Sequence, residues 1–249
     1  MALQEEFEQQ GNKLFKYRGS IPLAFLVTGI LVFIYSKMHL IGIEKYISFY
    51  TYELICLGIS FLGLAIRIYT VGYSPRNTSG RNTGSQIADE VNTTGIYSLV
   101  RHPLYVGNFF MWLGIAMLVQ NFWYVIIFVL TYWVYYERIM FAEEQFLRKK
   151  FAKAYLDWAE HTPAFIPSFK NYSPPKISFS WKKVIKKEKN GFVAIFMVFF
   201  LLRVIGDYIE TESLVLDSWL FYITVASSIL YFILKYIKKY TTVFDEAGR

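Results

Sequence analysis

The segment Arg101-His102-Pro103-Leu104-Tyr105-Val106-Gly107 stands where a polar loop runs into an apolar stretch. Proline suits the first turn of a helix, where its missing N–H costs nothing, and it pushes the preceding residue, His102, toward an extended backbone. Arg and His at a helix N-terminus oppose the partial positive charge already there. They make sense when an anion shares the site, held by unpaired N–H groups and both side chains. The plainer reading is an interfacial arginine snorkelling to phosphate headgroups.

Composition sets the class. The 249 residues are 55% hydrophobic and 20% aromatic, with a mean hydropathy of +0.32. That predicts an integral membrane protein rather than a soluble domain. The net charge of +7 does not indicate nucleic acid, because eleven Lys and Arg crowd between Arg148 and Lys189, beside apolar spans. One cysteine, Cys56, excludes an intrachain disulfide, and three scattered histidines (His39, His102, His161) argue against a metal cluster. The acidic, polar Met1–Gln10 leads us to expect no cleavable signal peptide.

Six apolar spans are read at Ile21–Ser36, Phe49–Val71, Leu104–Gln120, Phe122–Phe141, Phe192–Ile209 and Leu214–Tyr236, each near the ~20 residues that cross a bilayer. The fold class is therefore all-α, a polytopic helix bundle. Residues 1–20 form an N-terminal cytoplasmic segment. Residues 21–167 form a core of four spans plus an amphipathic helix over 142–160. A basic cytoplasmic linker follows over 168–190, then two further spans and a tail over 191–249. Lys and Arg flank alternate connections, which places both termini in the cytoplasm. Only Asn121 separates the third and fourth spans, so they form a tight antiparallel hairpin.

That hairpin brings two distant motifs together. Glu137 and Glu144 lie seven residues apart on one helical face, with Glu143 beside Glu144, where the fourth span leaves the bilayer. Arg101 and His102 stand at the same end. A simple ion pair between Arg101 or Arg148 and one of the glutamates is one reading; a site for a zwitterionic ligand is the other. Arg203 and Asp207, an i,i+4 pair inside the fifth span, keep a transporter or scaffold in view.

These residues resemble the isoprenylcysteine carboxyl methyltransferases and related membrane phospholipid methyltransferases. The likeness rests on Gly95-Ile96-Tyr97 and Arg101-His102-Pro103-Leu104-Tyr105-Val106-Gly107, then Glu143-Glu144-Gln145-Phe146-Leu147 and Phe151 to Trp158, closing at Pro163 and Pro167. The family's glycine after that phenylalanine is Ala152 here, a change read as harmless. The resemblance implies S-adenosyl-L-methionine at the cytosolic face, with a lipid or lipid-anchored acceptor entering from the bilayer. It assigns Tyr97, His102, Pro103, Tyr105, Gly107, Glu143 and Glu144 to the cofactor, and places Arg101 and Glu144 nearest the reacting groups. Neither a metal nor nucleic acid is expected. Membrane sterol reductases, which use NADPH, share part of the motif, but Leu104 and Asn108 replace their Asn and acid.

Physical chemistry agrees with methyl transfer. No two glycines are spaced Gly-x-Gly, so the phosphate turn of a soluble dinucleotide fold is missing. A sulfonium donor is already activated and an oxyanion acceptor already ionised, so alignment supplies much of the acceleration. Arg76 and Arg81, in the Gly- and Asn-rich loop Gly72–Val100, are expected to bind an anionic acceptor together with Arg101. Prenylcysteine, glycerophospholipid and a lipid A-type phosphate all remain open as acceptors.

Overall fold

The computed structural model describes residues 2–39, 48–75, 78 and 86–246, with Ile21 by its backbone alone. Among these residues the fold is all-α. Seven helices follow in order: α1 (Leu3–Lys16), α2 (Ile21–Met38), α3 (Phe49–Gly72), α4 (Pro103–Leu118), α5 (Phe122–His161), α6 (Trp181–Thr211) and α7 (Trp219–Tyr240). Each of the six apolar spans read in the sequence coincides with one of α2 to α7. Four helices (α3, α5, α6 and α7) are long and apolar enough to cross a membrane; α2 and α4 are apolar but shorter. Short polar caps set the starts. Ser48, Asn121, Ser180 and Ser218 each accept a hydrogen bond from the backbone N–H three residues on, satisfying a group the helix itself cannot.

Four boundaries differ from expectation. Helix α1 was not anticipated; its Phe7 ring lies edge-on to Phe141 of α5, under the Arg138 guanidinium. Helix α6 begins at Trp181, inside the stretch read as a linker, so the lysines from Lys182 to Lys189 are helical. Lys183 is buried, bonding the carbonyls of Ser74 and Pro75 instead of lipid headgroups. The last helix starts at Trp219, after the Ser218 cap, rather than at Leu214. The amphipathic helix expected over 142–160 is not a separate element: α5 runs on through it, broken only at Ala152, where φ is 45° and ψ is −118°.

The core is a stack of apolar side chains with no measurable exposure, among them Phe33, Leu118, Ile139, Phe199 and Leu220. Helices α3 and α4 approach most closely along small residues. A Cβ at Gly114 would collide with Ser60 Oγ and the Cys56 carbonyl, and Ser60 bonds the Met111 carbonyl at 3.0 Å. Glu53 of α3 is wholly buried and meets Arg203 of α6. Arg203 thus reaches across to a neighbouring helix, with Asp207 of its own helix near enough to feel its charge, so this arginine ties two helices together. A buried pair of this kind is costly to break, because one charge would remain uncompensated.

Both ends of the described chain sit at one end of the bundle. Glu8 of α1 bonds Lys149 of α5, and after α7 the tail returns to the start of α6, where Asp245 bonds Lys186 at 2.7 Å and Glu246 bonds Ser180. The start of α4 and the latter half of α5 lie at this same end.

Two substitutions test this packing. Gly114→Ala forces α3 and α4 apart and should destabilise the protein by roughly 1–3 kcal/mol. Ala152→Gly relieves a left-handed φ that costs an L-residue on the order of 1 kcal/mol or more, so it should raise the thermal midpoint in detergent; a midpoint lowered by it would remove the strain argument.

Candidate active site

His102 stands at the N-cap of α4 with φ −120° and ψ 59°, outside the α region that a following proline disfavours, and Pro103 opens the helix. The chain beyond α5 pins this cap from outside. Arg101 N–H donates to the Pro163 carbonyl at 2.9 Å and His102 N–H to Ala164 at 3.2 Å, while Ser168 N–H donates to Leu99 at 2.9 Å. The closing prolines of the motif therefore belong to a strap running antiparallel to residues 95–102.

Arg101 is the hub. Its Nε donates to Glu144 Oε1 at 2.8 Å and its Nη2 to Oε2 at 3.2 Å. Its Nη1 donates to the carbonyls of Ala159 and Thr162, both at 2.8 Å. One side chain thus fastens the start of α4 to the middle and the last turn of α5. A planar five-donor guanidinium can do this and an ammonium cannot.

His102 stands between both glutamates. Its Nε2 is 3.0 Å from Glu144 Oε1 and its Nδ1 is 3.5 Å from Glu143 Oε2. Burial alone disfavours the imidazolium, but hydrogen bonds and charge from Glu143 and Glu144 outweigh it, so the pKa is raised above the usual 6.5. Tyr105 donates to Glu143 Oε1 at 2.7 Å, and Tyr132 donates to the Tyr105 carbonyl at 2.7 Å. Glu144 is engaged by both Arg101 and His102, while Glu143 carries fewer bonds; the two side chains are about equally exposed, at 23% and 24%. Tyr97 is half-buried, and its desolvation pushes the phenol upward.

Glu143 opens into a cavity of about 630 Å³, within the usual range for small-molecule sites. Tyr97, Arg101, His102, Pro103 and Tyr105 share its wall with Glu143. Two assigned residues, Glu144 and Gly107, are not part of this wall, and neither is Glu137. Glu144 lies behind the wall, bonded to Arg101 and His102. Gly107 faces α3, where a Cβ would come 2.5 Å from Arg67 Cγ and 2.8 Å from the Gly63 carbonyl, so it makes room for the Arg67 side chain rather than lining a cofactor. Glu137 is exposed and pairs only with the adjacent Arg138. Arg76 and Arg81 lie outside the described residues.

The sequence reading missed part of the wall. Arg67 of α3, Asn108, Trp112 and Tyr136 face the cavity, as do Arg18 before α2 and Lys187, Glu188 and Asn190 of α6. A lone arginine in an apolar span is itself a functional signal, and Arg67 had it. Glu188 had none, being hidden in a lysine run.

With the geometry in place, comparison with known proteins is informative. Residues 54–154 match the family model described as phospholipid methyltransferase. The family resemblance carried by the two motifs therefore stands. The protein-S-isoprenylcysteine O-methyltransferase of Schizosaccharomyces pombe is 33% identical over 121 residues, covering 48% of this chain and 51% of that protein. The mouse enzyme of the same name is 29% identical over 99 residues, 37% of this chain and 35% of its own. The nickel-cobalt-cadmium resistance protein NccN of Alcaligenes xylosoxydans xylosoxydans is 33% identical over 106 residues, 42% of this chain and 47% of that protein. The chain spans about half the length of the first two of these relatives, and no solved structure matches it.

The His102 cluster sets a pH dependence. Its folded pKa lies above the unfolded value of ~6.5. The stabilisation is therefore complete below pH ~6.5 and is lost as pH rises through the folded value. Thermal midpoints of wild type and His102→Gln should differ most in acid and converge as pH rises; a gap that widens with pH would refute the assignment.

Proposed function

We propose that the chain is an S-adenosyl-L-methionine-dependent methyltransferase that transfers a methyl group to an oxyanion of a lipid or lipid-anchored acceptor. The observation that carries this reading is the sharing of one cavity wall by Tyr97, His102, Tyr105 and Glu143, all within the family-matched stretch. The cavity fits the cofactor chemically. Its volume suits a nucleoside-sized ligand, Tyr105, Tyr136 and Trp112 offer flat apolar faces, and the Glu143 carboxylate suits an ammonium or ribose hydroxyls.

When bound, the sulfonium cofactor supplies an activated methyl: its C–S bond breaks as the acceptor oxygen forms a C–O bond, and sulfur keeps the electron pair as a neutral thioether. The chain's own residues position and insulate. Glu143, aimed by the Tyr105 hydroxyl and His102 Nδ1, holds positive charge. Arg101 acts through Glu144, which it holds against His102, so Arg101 and Glu144 are positioning residues in this reading. An ionised acceptor needs no general base, and alignment in the cavity lowers the barrier. The bundle end that carries the cavity and both termini faces the cytoplasm, where basic residues concentrate.

Equilibrium binding of radiolabelled S-adenosyl-L-methionine to the detergent-purified chain tests this. Glu143→Gln should weaken binding roughly tenfold or more, the loss of a charge-assisted contact, and exposed Glu137→Gln should leave it unchanged. Equal affinity in wild type and Glu143→Gln would sink the cofactor assignment.

A further inference from the structure

Glu188 lies on α6, beyond residues 54–154 that match the family, yet it forms part of the same cavity wall. It is buried to 3% exposure and grips Arg67 at two points: Arg67 Nε donates to Oε2 and Nη2 to Oε1, both at 2.8 Å. Arg67 Nη1 donates to Asn108 Oδ1 at 2.6 Å. A guanidinium has five N–H bonds, so three are taken and two, one on each Nη, have no partner among the described residues. Both are on the Nη nitrogens, the pair that can fork onto two oxygens of a carboxylate or phosphate.

The placement is specific. The side chain of Arg67 crosses α4 over Gly107, the only residue type that leaves it room there. Arg67 is five residues from the end of α3, about 7.5 Å along the helix, so the fork sits a turn or more inside the bundle rather than at its rim. Arg18 and Lys187 border the same cavity and add positive charge to it, whereas Glu143 and His102 belong to the other motif. The cavity wall therefore offers a carboxylate in one part and oxyanion donors in another.

We propose that Arg67 and Asn108, held by Glu188, form the subsite for the oxyanion of the acceptor, and that the extra C-terminal helices serve to complete it. The proposal rests on the methyltransferase reading for the word acceptor, but its binding chemistry does not. Glu188 is the positioning residue: it fixes two of the guanidinium's nitrogens so that the fork is presented in one orientation. The ligand is a carboxylate or a phosphate monoester on an apolar chain, and the two are separated by the choice of probe.

The test is direct binding to the full-length chain in detergent, with N-acetyl-S-farnesylcysteine as the carboxylate probe, dioctanoyl phosphatidic acid as the phosphate probe and dioctanoylglycerol as the neutral control. One oxyanion probe should bind and the neutral lipid should not. Arg67→Lys, which keeps the charge but loses the fork, and Glu188→Gln should each weaken that probe roughly ten- to a hundredfold. Glu188→Asp should recover part of the loss, and S-adenosyl-L-methionine affinity should move by less than about threefold in all three variants. Asn108→Asp, nearly isosteric, should weaken the probe by setting a second anion beside Nη1, and it remains informative if an Arg67 variant fails to fold. The proposal is overturned if neither oxyanion probe binds, if the neutral lipid binds as tightly, if probe affinity is unchanged in these variants, or if cofactor affinity falls in step with it. Arg67-dependent binding of a probe without methyl transfer to any acceptor would instead preserve the subsite and reject the methyltransferase reading.

Discussion

The site depends on the guanidinium of Arg101. It bonds both oxygens of Glu144 and two carbonyls at the end of α5, so the start of one apolar helix and the far end of the next are fixed to each other. The rest follows from that constraint. Glu144, once held, receives His102; His102, set between two carboxylates, reaches Glu143 on its other side; Tyr105 completes the grip on Glu143. Each group is tolerable in a low-dielectric setting because its charge is answered within hydrogen-bond reach, the condition under which buried charges persist.

The second ion pair in the cavity has the same logic and a different origin. Arg67 comes from the stretch that matches the phospholipid methyltransferases, and its carboxylate comes from a helix outside that stretch. Without Glu188, Arg67 would carry an uncompensated charge inside an apolar bundle. A chain that ended after the strap would leave one side of its cavity open, and α6 fills that side. Lys183, which bonds the end of α3 through Ser74 and Pro75, holds α6 in place there.

Much of the fold was legible in the sequence because bilayer helices announce themselves by long apolar runs, and all six read that way coincide with helices. Convergence of Arg101-His102 with Glu143-Glu144 was legible because only Asn121 parts the two apolar runs, and the short connection over 119–121 that joins α4 to α5 leaves little freedom. What escaped has physical reasons. Helix α1 is polar apart from a spaced set such as Phe7, Leu14 and Phe15, too sparse to read as a helix. The start of α6 is masked by lysines whose composition resembles a solvated linker, although one of them is buried. Gly107 was read as a cofactor residue because it sits in the motif; the motif does not display that a Cβ there would meet Arg67 Cγ and the Gly63 carbonyl. Ala152 looked like a harmless replacement of glycine because sequence does not display φ, and its value of 45° shows why glycine suits that position.

The account stands on the cavity beside Glu143 being the cofactor's seat. The most direct measurement is an experimental structure of the full chain solved with S-adenosylhomocysteine, the product form of the cofactor. The account predicts ligand density inside this cavity, in contact with Glu143 and the Tyr105 side, with the Arg101–Glu144 fork intact. Density for the ligand elsewhere on the protein, with this cavity holding only lipid, would contradict it.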